Sequence, residues 1–230
     1  MQKLAVISNP RPESSQGAGN VFSVVEMAEY VTKSTMDTLV RMVQNLLESR
    51  DSYTALHQQR VAVMCWLIAE DMGLDNYMAD SLYMAALIHD VGKISIPIDF
   101  LAKPGELTPL ERKVINGHVK AGYDIIKNVP FPWPVAEIIL QHHERLDGSG
   151  YPQGLKGNRI SLEARILAVA DTVETIVYDR PYRPGRSVGV ALDIISSLGG
   201  KELDAMVVPS CNRVMARLSH VLPYRLAKIP

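Results

Sequence analysis

The chain of 230 residues contains only two cysteines, Cys65 and Cys211, each standing alone. Without a CxxC pair, neither a disulfide framework nor a thiolate zinc site is expected, and each cysteine reads as a small buried apolar side chain. An excess of charge of one sign is lacking too. Lys and Arg number 24 against 25 Asp and Glu, a formal net charge of -1. A protein that grips DNA, RNA or an anionic membrane needs surplus positive charge to displace counterions, so no nucleic-acid polymer is expected as a partner. No run approaches the ~18 consecutive apolar residues of a membrane span. Leu4–Ile7 is too short for the core of a signal peptide. The expected setting is a reducing cytoplasm. Alternating strand patterns, internal repeats and low-complexity tracts are also missing.

What is present is a globular composition, 47% hydrophobic and 21% charged, in a length suited to one or two domains at ~150 residues each. Residues 1–20 carry Pro10, Pro12, Gly17 and Gly19 and read as a flexible leader. From 21 to 50, Met27, Val31, Met36, Leu39, Val40, Val43, Leu46 and Leu47 recur at helical spacing without Pro or Gly. That helix either packs on the body of the chain or serves as a connector, joining an upstream sensor domain and pairing two copies as a homodimer. The remainder, 51–230, reads as one all-α domain. Helices are expected near 54–72, 77–90, 108–128, 132–144, 161–180, 187–197 and 203–220, and Thr108-Pro109-Leu110-Glu111 has the form of a capping box. The polar, Gly-rich stretch 147–158 is a long loop, with room for at most a small hairpin within 147–160.

The histidines carry the strongest signal. His57 is followed by Val61, Met64, Cys65 and Ile68, so it continues an apolar stripe. Leu82, Ala85, Ala86, His89 and Asp90 fall at offsets 0, 3, 4, 7 and 8, and Val135, Ile138, Ile139, His142 and His143 repeat that spacing. Leu167, Ala170, Asp171 and Glu174 do the same with carboxylates. Imidazoles and carboxylates at the ends of inward faces need partners, because an unpaired one costs several kcal/mol when buried. A divalent metal satisfies many at once, and neutral imidazoles with carboxylates suit Fe, Mn or Zn. Two such ions bridged by a carboxylate and a hydroxide suit in-line attack on a phosphodiester. Lys93, three residues after Asp90, adds a cation for a phosphate oxygen. His220 stands apart from this set.

In these residues the chain resembles the HD superfamily of metal-dependent phosphohydrolases, through His57, His89-Asp90 and Asp171. More narrowly it resembles the HD-GYP family of cyclic-dinucleotide phosphodiesterases. His89-Asp90-Val91-Gly92-Lys93, Lys103-Pro104-Gly105-Glu106-Leu107-Thr108, the run from His142 to Pro152, Ala164–Asp171 and Asp179–Arg183 are similar to five ordered blocks of that family. The resemblance implies an HD-type helical bundle with a long GYP loop. It implies that His57, His89, Asp90, His118, His142, His143 and Asp171 are metal ligands, with Asp90 bridging. Lys93 would meet phosphate near the metals, and Tyr151, Arg180 and Arg183 would meet substrate. Members with three metals carry a Glu four residues before the first histidine. Here that position is Tyr53, so two divalent ions, Fe or Mn favoured, are expected. The implied activity is hydrolysis of cyclic di-GMP by a metal-bridging hydroxide, with linear pGpG or GMP as the product. The alternatives are hydrolysis of 3',3'-cyclic GMP-AMP, or a silent module that binds a cyclic dinucleotide or a partner protein without turnover.

Overall fold

The computed structural model describes residues 24–50, 52–101, 103, 105–179 and 184–221. Its chain divides into two compact units, Met1–Asp37 and Thr38–Pro230. Ten α-helices are described: α1 (Val24–Arg50), α2 (Ser52–Asp71), α3 (Asn76–Ile88), α4 (Ile98–Leu101), α5 (Pro109–Asn116), α6 (His118–Ile126), α7 (Val135–Gln141), α8 (Leu162–Val177), α9 (Val188–Leu198) and α10 (Val207–Val221). Short 3-10 turns occupy Val91–Ser95 and Gly157–Arg159. No strand occurs among the described residues, and the one bridge, Gly199 to Leu203, is isolated. The chain is all-α, as its sequence implies.

The helices begin where short polar side chains can accept the free N–H groups of a first turn. Asp75 accepts from Met78, Ser161 from Ala164 and Ser187 from Val190. Thr108 and Glu111 form the expected capping box, with Pro109 at the first helical position. The core of the second unit is the meeting of α2 with α3, α8 and α10, and of α3 with α7 and α8. Val61, Cys65 and Ile68 of α2 are fully buried, as are Leu82 and Ala85 of α3, Ile138 and Ile139 of α7, and Ile166 and Leu167 of α8. Both cysteines are free and buried.

Three expectations need correction. The single helix expected over 108–128 is two helices, because the chain turns at Gly117. Gly117 N–H bonds back to Val114 O at 3.1 Å, and a Cβ there would sit 2.9 Å from the same oxygen. The hairpin allowed within 147–160 does not form. Asp147 Oδ1 instead accepts from the N–H and hydroxyl of Ser149, Gly148 turns at φ +85°, and the loop ends in the 3-10 turn at Gly157–Arg159. Finally, α3 ends at Ile88 and α7 at Gln141, so the His-Asp and His-His pairs lie just past helix ends.

Candidate metal centre

Five elements deliver the inward residues: α2 brings His57, the end of α3 brings His89 and Asp90, the start of α6 brings His118, the end of α7 brings His142 and His143, and α8 brings Asp171. A close backbone approach sets the spacing between the second and third of these. A Cβ on Gly92 would fall 1.9 Å from His118 O and 2.4 Å from Gly122 N, so only glycine lets the 3-10 turn after Asp90 lie against α6.

All seven expected ligands come together. His57, His89 and Asp171 form one group whose ligand atoms lie within 4.8 Å of one another; His118, His142 and His143 form a second; His89, Asp90 and His142 link the two. Asp90 sits between them. Its Oδ2 is 3.5 Å from His89 Nε2 and 3.7 Å from His57 Nε2, while its Oδ1 is 3.2 Å from His118 Nε2. His57 Nε2 is 3.2 Å from Asp171 Oδ1. Lys93 Nζ, partly open to solvent, donates to Asp90 Oδ2 at 2.6 Å.

Hydrogen-bond partners decide which ring nitrogen of each histidine faces the centre. Nδ1 of His89, His118 and His142 faces the carbonyl oxygen three residues earlier, at 2.8, 2.7 and 2.6 Å. A carbonyl only accepts, so each Nδ1 carries a proton, and the neutral form of each ring presents its Nε2 lone pair to the centre. His118 Nε2 and His142 Nε2 are buried without a hydrogen-bond partner. His118 Nε2 lies 3.2 Å from Asp90 Oδ1, a spacing that a cation shared by the two atoms would satisfy. Imidazole Nε2 atoms and carboxylate oxygens on two sides of Asp90 fit divalent metals of the Fe, Mn or Zn type.

Electrostatics favour the same state. Burial, followed by the charges of His89 and His118, pushes His142 down to about 3. Burial likewise lowers His89 and His143. These imidazoles are therefore neutral donors at pH 7. Burial opposes the charge on Asp90 and Asp171. Lys93 and His89 outweigh it for Asp90, and His57 outweighs it for Asp171, so both carboxyls stay well below their usual range. His57 differs. Burial lowers it, but hydrogen bonds to Asp171 and Glu174 outweigh that and push it up to about 9.

The loop after His143 closes one side. Glu144 is buried, and its two carboxylate oxygens accept from Gln153 N–H at 2.7 Å and Leu155 N–H at 2.9 Å. Gly150 lies so close to the His143 and Glu144 backbone that a Cβ would be 2.5 Å from each. This fold of the loop stacks Tyr151 on His143, ring centroids 4.8 Å apart and planes 27° apart. Arg180 and Arg183, the other expected substrate contacts, lie outside the described residues.

Sequence reasoning assigned no role to three participants. Glu174 bonds His57, Arg60 bonds Glu174, and the Gln58 amide, oriented by its partners, donates to Leu87 O and accepts from Asp90 N–H. Arg60 lies one helical turn from His57, a spacing that could have flagged it.

This arrangement of His, His-Asp and Asp around one centre agrees with a model of the HD domain family, which matches residues 41–207. The chain belongs to the HD domain family. Relatives of this HD domain include the cyclic di-GMP phosphodiesterase response regulator RpfG of Xanthomonas campestris pv. campestris, 38% identical over 193 residues, 83% of this chain and 51% of that protein. The 3'3'-cGAMP-specific phosphodiesterase 1 of Vibrio cholerae serotype O1 is 36% identical over 158 residues, 69% of this chain and 37% of that protein. An HDG"Y"P protein from Bdellovibrio bacteriovorus has the same fold, with a TM-score of 0.60 at 18% identity, over 84% of this chain and 64% of that one. The HD domain chain spans about half the length of the first curated relatives it matches.

Proposed function

We propose that this HD domain is a metal-dependent phosphodiesterase of the HD-GYP type, which hydrolyses cyclic di-GMP to linear pGpG, with GMP as the alternative end product. The observation that carries the reading is the pair of buried, unpartnered Nε2 atoms of His118 and His142 beside Asp90, an arrangement that suits cations and is open to a phosphate through Lys93. Two divalent ions, Fe or Mn, suit the two donor groups. His57, His89 and Asp171 would hold one, His118, His142 and His143 the other, and Asp90 would serve both. When bound, such ions neutralise phosphate charge and lower the pKa of water. Lys93 supplies a further cation to a non-bridging phosphate oxygen. Tyr151, fixed on His143, offers an aromatic face toward the nucleotide. Arg180 and Arg183 suit phosphate oxygens or a guanine edge. Tyr53 has no carboxylate for a third ion. The catalytic domain is assigned to 51–230, in the cytoplasm. The exposed Met42 and Leu46 of α1 favour a role for that helix in pairing two copies or receiving an upstream sensor's signal.

The second reading is hydrolysis of 3',3'-cyclic GMP-AMP, favoured by the identity to the Vibrio cholerae relative. A silent binding module is disfavoured by the complete ligand set. The test is anaerobic incubation with Fe(II) or Mn(II) and each dinucleotide in parallel, with products read by chromatography. Turnover of cyclic di-GMP to pGpG, lost in the His89→Ala, Asp90→Ala double variant with the helical spectrum kept, is expected. Faster turnover of cyclic GMP-AMP selects the second reading. Hydrolysis of neither by metal-loaded protein overturns both.

A further inference from the structure

His57 is anchored unlike its neighbours. His89, His118 and His142 each rest Nδ1 on the backbone carbonyl three residues back. His57 Nδ1 rests on a side chain 117 residues away, Glu174 Oε2, at 2.5 Å. Glu174 is 0% exposed and lies on α8, three residues beyond Asp171. Its second oxygen, Oε1, accepts from Arg60 Nε at 2.7 Å and pairs with a terminal guanidinium nitrogen at 2.5 Å. Arg60 lies three residues after His57 on α2, and its guanidinium stacks 4.0 Å over the Tyr178 ring. Both oxygens of the Glu174 carboxylate are thus held by α2, and its rotation is blocked from two sides.

A peptide carbonyl behind an imidazole only orients it. A carboxylate also lends charge, which makes the opposite nitrogen a stronger donor to a metal. The two donor groups are therefore unequal. One contains Asp171 and a histidine backed by a carboxylate; the other contains three imidazoles, of which His118 and His142 are backed by neutral peptides. We infer that Glu174, clamped by Arg60, is a positioning residue that acts through His57 and makes the His57–His89–Asp171 position the tighter of two metal positions. The inference rests on the two-metal reading above, and it implies ordered loading, with the three-histidine position the exchangeable one.

The test is equilibrium dialysis of the full chain against Mn(II), read as the number and affinity of bound ions. Wild type should show two classes of site. Glu174→Gln keeps the shape, removes the charge, and should weaken the tight class by about 10–100-fold while leaving the weak class in place. In a His57→Ala background, Glu174→Gln should change nothing further, since its route to the metal is gone. Arg60→Gln, which leaves the Glu174–His57 bond, should weaken the same class by a smaller factor and keeps the test alive if Glu174→Gln fails to fold. Two ions bound by wild type and by both variants with unchanged affinities would overturn the inference and leave the two-metal reading standing. An additional loss from Glu174→Gln in the His57→Ala background would overturn it too. A wild-type chain that binds no Mn(II) defeats both readings, and that outcome separates the two failures.

Discussion

Glu144 shows how one side chain shapes chemistry it does not perform. It lies between the two histidines and the loop that carries Tyr151, and both of its oxygens are spent on loop N–H groups. An amide can accept with one oxygen only, so Glu144→Gln turns an NH2 toward a backbone donor. A buried donor left unsatisfied costs about 1–3 kcal/mol. The expected result is a loss of about 2 kcal/mol in urea unfolding, with metal binding retained and the affinity for nucleotide reduced as Tyr151 loses its fixed seat on His143. Unchanged stability would mean that the loop holds its shape without the carboxylate. Six of the seven candidate ligands were legible in sequence because burial forces each imidazole or carboxylate to be explained, and helical phase says which side chains are buried; His118 came from the family resemblance alone. His57 was found in that way. Glu174 had the right phase but no visible purpose, because its purpose is a bond across 117 residues that local periodicity does not encode.

At the level of elements, phase reasoning held even where helix ends were misplaced. α3 stops at Ile88, yet His89 keeps helical dihedrals of -56° and -31°, so its direction follows the stripe; only Asp90, at -94° and 9°, leaves the helical path. His142 behaves as His89 does. The break at Gly117 was hidden because both α5 and α6 read as helix and the glycine between them keeps right-handed dihedrals. Gly92 was legible as part of a motif, but its reason is spatial. Adding a methyl group 1.9 Å from His118 O forces the 3-10 turn away from α6, so Gly92→Ala should cost more than about 2 kcal/mol and separate Asp90 from His118. Thermal unfolding together with metal titration checks this, and a Gly92→Ala protein with unchanged stability and metal binding contradicts it. A second element contact depends on pH. Asp71 ends α2, where the helix dipole disfavours an anion. Hydrogen bonds from Arg213 of α10, aided by the charge of Arg217, hold its carboxyl below the usual range. A depressed carboxyl stabilises the fold above the unfolded value of about 3.9, and that contribution fades as pH falls through the lower folded value. Both arginines are more than half exposed, so screening limits the effect to about 0.5–1 kcal/mol. Asp71→Asn should therefore cost that amount at pH 7 and almost nothing near pH 2, read from urea midpoints at the two values. A difference that persists at pH 2 would assign the effect to packing.

Across the whole second unit, the centre is the place where α2, α6 and α8 meet the ends of α3 and α7. The apolar layers between these helices are complete without ions, since Ile68, Leu82, Ile138, Ile139 and Leu167 are fully buried against protein. Helix formation and metal binding are therefore separable, unlike in small domains whose core is the metal itself. What the ions add is cohesion at one end of the bundle, where Asp90 faces bare imidazole nitrogens. By mass action, a ligand at 100 times its dissociation constant stabilises the folded state by about 2.7 kcal/mol per site. For a chain of this size each kcal/mol moves the melting temperature by roughly 2–4 °C. Stripping the protein with a chelator should then lower its melting temperature by at least about 5 °C while the far-ultraviolet helical signal at 25 °C stays the same, and adding Mn(II) back should restore the higher value. Loss of the helical signal on chelation would show that the apolar layers cannot hold the bundle alone. Equal melting temperatures with and without bound ions would show that the seven candidate ligands are already satisfied among themselves, which is incompatible with the buried, unpartnered Nε2 atoms of His118 and His142.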